Sequence, residues 1–468
     1  MHILDYVVFA LYFLGVLAVG VYFFFKNENH EDYFVGGRSI SSFHIGLSIV
    51  ATDVGGGFSI GLAGLGFAMG ISGSWLLFTG LVGAWLAAIF TVPKLKKLDM
   101  ESGYLTYPDF LKAKYGNKVA MFAAVISGIG YLGFTGGQIL AGAKLAAGSI
   151  FVDLSSFDPL SFSLFVIAVV ILLYTVLGGI KAVIYTDTVQ WIVLLSGLMF
   201  LGFPFAYYKL GGWEVIKSQL PATHFSFTNV SPVTLINWAC TIIPIWFIAM
   251  TLYQRVYASP NVKEAKRAFL IAGVFEYPFM AFVGVGLGML SRVAFPDSDA
   301  EMALPLMLNH VLPIGITGFL LASYFSAVMS TADSCLIASS GNFTNDIIVK
   351  LFKRKLSDRA IIRLSQLVTL VVGVLALLLA SSFQSVLDIV LQAYGFMVSG
   401  LLAPTLVAYF SKKTDGVAAG ASMIGGGGFT LIVMLTKSNL PLGLDPTVFG
   451  LAISASLYWL VYYIRKNV

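Results

Sequence analysis

The chain predicts an all-α polytopic membrane fold of about thirteen transmembrane helices, and three observations predict it. Of its 468 residues 58% are hydrophobic and only 11% charged, with a mean hydropathy of +0.88, which excludes an ordinary soluble domain and, despite the net charge of +5, a nucleic-acid binder. Apolar stretches of membrane length recur from end to end, at roughly 4–26, 45–69, 72–98, 119–150, 157–179, 182–207, 232–256, 265–294, 312–347, 361–382, 386–410, 416–436 and 446–464. Two of these stretches are interrupted by residues that helices avoid.

The first stretch lacks a basic start and a small-residue cleavage site, so it reads as a retained helix. Basic residues set the orientation: 23 of the 28 fall on alternate loops, the exceptions being Lys144, Lys209, Lys217, Arg292 and Lys437. The positive-inside rule makes those loops cytoplasmic, and an odd span count then places the N-terminus outside and the C-terminus in the cytoplasm of a plasma (inner) membrane. Lys144 ends the fourth stretch near the outer face, where it reads as snorkelling. The longest loops, 27–44, 95–118 and 208–231, are too short for cores of their own, so residues 1–468 form a single transmembrane domain. Cys240 and Cys335 lie within spans and imply no disulfide framework.

The second stretch carries the first interruption, Ala51-Thr52-Asp53-Val54-Gly55-Gly56-Gly57. Each glycine costs about 1 kcal/mol relative to alanine in a helix, and an acid at mid-membrane costs several more, so a helix break is expected. Backbone freed at that depth must be buried in protein or line a polar site, which offers the Ala51 and Val54 carbonyls to a hard cation. Pro244 supplies the second interruption, in the seventh stretch. Breaks five spans apart fit two inverted five-helix repeats, about 45–207 and 232–410, each starting with a broken helix and flanked by peripheral helices 4–26, 416–436 and 446–464. A kink serving only packing is the alternative for Pro244.

In the ninth stretch Ala327, Ser330, Thr331 and Ser334 share one helix face at spacings of three and four, so a carbonyl and several hydroxyls converge. Close helix packing is the competing account of such residues. Asp333 in the same turn favours an ion or proton path, because intramembrane acids default to that use. Asp187, in Tyr185-Thr186-Asp187-Thr188-Val189-Gln190, adds an acid to the sixth stretch, with helix capping as its alternative.

These fragments, together with Gly36-Gly37-Arg38-Ser39, Gly178-Gly179 and Gln254-Arg255, occur in an order that resembles the sodium/solute symporters, a family that includes sodium/glucose, sodium/proline, choline, iodide and sialic-acid carriers. The resemblance covers essentially the whole chain. It implies Na⁺ as coupling ion, held by the backbone oxygens of Ala51 and Val54 with Ala327, Ser330 and Thr331, and a possible second cation site at Asp187, Asp333 and Ser334.

The resemblance also locates the solute between the broken helices and the third, eighth and eleventh spans, where the candidates are Asp53, Phe58, Ser74, Trp75, Gln138, Trp246, Glu276 and Gln392. Sugar relatives place a glutamine at Phe58, a glutamate at Ser74 and an asparagine at Ala249, and only Gln392 keeps its counterpart. Choline carriers have a tryptophan at Asp53. Glu276 stands where sugar relatives place a lysine. Asp53 and Glu276 give the site negative character, so the expected solute is small, polar and bears an amino or ammonium group, as an amino acid or amine does. Alternatively, Asp53 supports the sodium cage and Glu276 an interhelical hydrogen bond. A sugar or organic-acid symporter is the runner-up.

The expected activity is therefore secondary active symport by alternating access, not enzymatic catalysis, with a small solute and the lipid bilayer as partners and no nucleic acid or obligate protein partner. An intramembrane aspartyl protease using Asp187 and Asp333 lacks the Gly-x-Gly-Asp setting around either acid. A sodium channel would not accumulate a solute.

Overall fold

The computed structural model describes residues 1–24, 36–153, 156–175, 180–349 and 357–467. Gly178-Gly179, the loop residues Asp32 to Val35 and the basic stretch 350–356 lie outside the described residues. Every regular element among the described residues is a helix: α1 Ile3–Phe24, α2 Ser42–Asp53, α3 Gly55–Met69, α4 Trp75–Phe90, α5 Val92–Ser102, α6 Tyr107–Tyr115, α7 Asn117–Ala147, α8 Pro159–Thr175 and α9 Ile180–Gly197. There follow α10 Phe203–Lys209, α11 Gly212–Gln219, α12 Pro232–Ile245, α13 Met250–Ala258, α14 Val262–Val274, α15 Phe282–Ala294, α16 Ala303–Val311, α17 Ile316–Gly341, α18 Asp358–Ala380, α19 Val386–Phe410, α20 Gly416–Thr436 and α21 Pro446–Asn467.

Among the described residues nine helices are long and apolar enough to cross a membrane, or ten if one bent pair counts as a single span; Ile3–Gly15 and Pro159–Leu173 are shorter apolar helices. Helix ends are marked by capping side chains, since the first N–H groups have no partner within their own helix. Ser231 accepts from the Thr234 N–H at α12, Ser385 from Asp388 at α19 and Asp415 from Ala418 at α20.

Both expected breaks are present, the first one residue wide and the second four. α2 ends at Asp53 and α3 begins at Gly55, with Gly55 in the left-handed region (φ 44°) that disfavours a side chain. The turns on either side are closed by their own bonds, Val54 N–H donating to Val50 O at 2.9 Å and Phe58 N–H to Val54 O at 3.0 Å, while Gly57 N–H donates out of the helix to Gln138 Oε1 at 2.9 Å. Pro244 lies in the last turn of α12, and the chain bends by 40° between α12 and α13, over Trp246 to Ala249. The two halves of the first broken span run along the two halves of the eighth: α2 packs on α14 and α3 on α15. Small residues allow that approach. A Cβ at Gly66 would stand 2.1 Å from Val285 O, and one at Gly288 2.0 Å from Ala63 O. α7 packs against α17 and α19, which encloses the breaks from the far side.

Candidate functional site

The first break lies against α17. Thr331 Oγ1 donates to Ala51 O at 2.8 Å and to Ala327 O, one turn back on its own helix, at 3.0 Å. A Cβ at Gly55 would stand 2.0 Å from Thr331 Oγ1, and one at Gly56 2.0 Å from Val328 Cγ2. Three of the five expected sodium ligands, Ala51, Ala327 and Thr331, thus meet directly. Val54 O accepts from Phe58 N–H, and Ser330 Oγ donates instead to Asp187.

Deeper along α17 is a lattice that sequence reasoning did not assemble. Arg255, on α13 just past the second break, is fully buried with a salt bridge to Asp187 Oδ2 at 3.2 Å. Its Nη2 also donates to Thr52 Oγ1 at 2.5 Å and Ser334 Oγ at 3.1 Å, while Nε reaches Ser48 Oγ at 3.1 Å. Ser48 in turn donates to Asp187 at 2.5 Å. Asp187 lies inside α9, buried among donors and one cation. Asp333 accepts from Thr175 of α8, apart from these bonds. The sequence signal for Arg255 was present in Gln254-Arg255 beside an intramembrane acid in need of a partner.

The solute candidates separate into two groups. Asp53 is buried and accepts from Tyr394 Oη at 2.9 Å. The carboxyl of Glu276 is fully buried and hydrogen-bonds that of Asp53, one proton lying between the two acids. Glu276 stands on a π-helical turn, Phe275–Ala281, and bare Gly80 of α4 makes room for it, since a Cβ there would lie 2.0 Å from Glu276 Oε1. One turn on, Gly83 receives the buried Trp246, whose indole N–H has no acceptor. Gln138 of α7 accepts from Gly57 N–H at 2.9 Å through Oε1, and its Nε2 has no partner. Phe58 packs at 6.1 Å from the Tyr394 ring, which stacks on Phe134 at 4.8 Å.

The other candidates are placed elsewhere. Trp75 donates to Phe227 O at 2.9 Å and is tied to the loop after α11. Ser74 is buried on the 3-10 turn Gly70–Ser74 with an unpartnered hydroxyl. Gln392 is exposed, on a different face of α19 from Tyr394. Lys144 corrects the snorkelling expectation: its side chain is buried and paired with Glu301 at 2.7 Å and Asp299 at 3.3 Å. Glu301 also accepts from Val386 N–H at 2.9 Å and Leu387 N–H at 3.2 Å, so it joins α7 to the start of α19.

A membrane bundle with two interrupted helices, buried oxygens at one break and a buried acid pair beside it, has the architecture of a secondary transporter with discontinuous helices. The profile of the Sodium:solute symporter family matches residues 33–426, and the chain belongs to that family. It is a transporter of small-molecule solutes, not an enzyme. The chain is 28% identical over 433 residues to the high-affinity proline transporter PutP of Bacillus subtilis (strain 168), covering 89% of each protein. It is 26% identical to sodium/glucose cotransporter 1 of Ovis aries, over 88% of this chain and 68% of that one. Its fold matches that of a Na⁺-coupled sialic acid symporter in a substrate-bound outward-open state, with a TM-score of 0.81 at 22% identity, over 99% of this chain and 98% of that one.

Proposed function

We propose that the protein is a sodium-coupled symporter that imports a small solute bearing an amino or ammonium group. One observation carries the solute reading: two carboxyls, Glu276 and Asp53, are buried together, hydrogen-bonded to each other and to Tyr394. A shared proton lets the pair stay buried, and the cation at the neighbouring lattice, Arg255, is committed to Asp187 and three hydroxyls. An ammonium group from the solute would displace that proton and pair with both acids. Similarity to a proline transporter supports the same choice; similarity to a glucose cotransporter supports the runner-up, a sugar, which would leave both acids without a counter-charge.

On this reading Na⁺ takes the backbone oxygens of Ala51, Val54 and Ala327 with the hydroxyls of Ser330 and Thr331, an oxygen set suited to a hard cation. A second cation at Asp187, Asp333 and Ser334 would have to displace bonds that Arg255 makes to Asp187 and Ser334. The inverted repeats at 45–207 and 232–410, the thirteen spans, the external N-terminus and the plasma membrane complete the proposal; the two breaks and the charge bias support them. The test is uptake by proteoliposomes under an inward Na⁺ gradient, with K⁺ as control, across amino acids, amines and sugars. Sodium-dependent accumulation of amino compounds, lost in Glu276→Gln and Asp53→Asn, is expected. Accumulation of a sugar alone, or unchanged solute affinity in both variants, overturns the solute reading.

A further inference from the structure

Glu301 joins the broken span to helices on its far side. Its stem is seated on α3 at the bare Gly64, where a Cβ would stand 3.0 Å from Glu301 Cγ. α3 packs along α15, the helix from which the loop to Glu301 departs. The carboxylate reaches the opposite body. Lys144 Nζ of α7 donates to Oε2 at 2.7 Å, and the start of α19 adds Ser385 Oγ at 3.2 Å, Val386 N–H at 2.9 Å and Leu387 N–H at 3.2 Å. Asp299 completes the cradle, its Oδ1 accepting from the N–H groups of Glu301 and Met302 at 3.1 Å and from Lys144 at 3.3 Å.

Below this cluster one face of α3 runs against α19. Gly64, Gly61 and Phe58 recur at a spacing of three, so they share that face. A Cβ at Gly61 would stand 3.3 Å from Leu387 Cβ, and the Phe58 ring packs 6.1 Å from that of Tyr394, whose hydroxyl holds Asp53. The seam between α3 and α19 therefore descends from Glu301 to the acid pair, and Glu301 closes its upper end. The chemistry suits a closure that must also release. Charge-assisted bonds to a helix N-terminus are strong while water is excluded and weak once it enters. Lys144 and Glu301 are buried, but Asp299 beside them is exposed, so a small separation admits water to the pair.

We infer that Glu301 is the outer latch of the transporter. Its bonds to Lys144 and to the start of α19 hold the seam shut, and their release opens the way to the acid pair from the external face. Both residues are positioning residues, acting through the seam. The inference takes from the proposed function only the orientation, which places the end of α7 outside.

The test is thiol labelling in lipid nanodiscs with a membrane-impermeant maleimide, read by peptide mass at each cysteine. Leu387→Cys reports on the seam, and Leu111→Cys, buried on α6, reports on the opposite face of the bundle. Glu301→Gln and Lys144→Met should each speed labelling at 387 by about ten- to hundredfold, the population shift that one lost charge-assisted bond gives, and leave 111 no faster. Faster labelling at both positions, as from general loosening of a brace, overturns the inference, and so does faster labelling at neither. In the otherwise unaltered protein Leu387→Cys should react about tenfold more slowly than Gln384→Cys on the exposed approach to α19. Equal rates there overturn the latch even if both charge variants fail to fold. Intact cells check the side: labelling at 387 from outside is expected, and labelling only after permeabilisation overturns the outer assignment. No solute enters any arm, so failure of amino-compound uptake would strike the proposed function and leave these results untouched.

Discussion

Gly55→Ala tests whether the first break and α17 close on a cation together. Two costs follow from the geometry. The left-handed φ of 44° costs an alanine about 1–2 kcal/mol in any conformation that keeps it. The added Cβ would stand 2.0 Å from Thr331 Oγ1 and 2.9 Å from Thr331 Cβ, so α17 must retreat as well as the hydroxyl. Overpacking of that kind costs about 1–3 kcal/mol, and it falls only on the conformation in which Ala51 and Thr331 meet. Global stability should therefore drop by about 1–2 kcal/mol. The Na⁺ concentration for half-maximal uptake should rise roughly 5- to 150-fold, the range that 1–3 kcal/mol of lost coupling gives. Sodium titration of uptake in proteoliposomes measures the second number, and thermal unfolding in detergent the first. Gly428→Ala is the control, since nothing lies within 4 Å of its added Cβ. A folded Gly55→Ala protein with half-saturation within twofold of wild type would refute the argument.

Arg255→Met should destabilise by about 3–5 kcal/mol, because it strands Asp187 in full burial. The double variant with Asp187→Leu should recover most of that in thermal unfolding; a double variant as unstable as the single contradicts the pairing. Lys144→Met and Glu301→Gln should be non-additive by about 0.5–3 kcal/mol in a double-mutant cycle, as expected of a buried contact at 2.7 Å. Burial lowers the pKa of His224, whose Nε2 meets Phe67 O at 3.0 Å and whose Nδ1 has no partner. The unfolded chain then takes the proton first, so stability falls as pH drops below about 6.5. His224→Gln should flatten that decline between pH 7.5 and 5.5 in the same thermal assay, and an unchanged slope counts against it.

Membrane helices were legible because apolar length is written in composition, and the breaks because glycine and proline act locally on the backbone. Partners across the bundle were not. The positive-inside rule counts Arg255 and Lys144 by sign and loop; it carries no information on burial, and the structure buries both on acids 68 and 157 residues away. The face a residue presents also escaped. Gln392 matches its counterpart in sugar carriers and is exposed, whereas Tyr394, two residues further on, turns inward to Asp53. Helix rotation is set by packing against neighbours, and here glycines at the α2–α14 and α3–α15 contacts determine how closely those helices approach.

Ser330 joins the two halves of the site, and on the proposed reading that makes it the point of coupling. Its hydroxyl donates to Asp187, while its neighbour Thr331 already faces Ala51. A hydroxyl can donate to a carboxylate and accept a cation on its lone pairs at once, so Na⁺ binding need not break the bond. Such binding instead polarises it, and draws Asp187, Arg255, Ser48 and Thr52 toward the closed arrangement. Ser48, Thr52 and Asp53 all belong to α2, so what fixes the cation also fixes the carboxylate that meets the solute. By reciprocity the solute must tighten Na⁺ binding by the same factor. Ser330→Ala keeps Ala51, Ala327 and Thr331 in place but removes this link. It should lower the mutual enhancement of Na⁺ and solute affinity more than it lowers either affinity alone, and equal losses would place the coupling elsewhere.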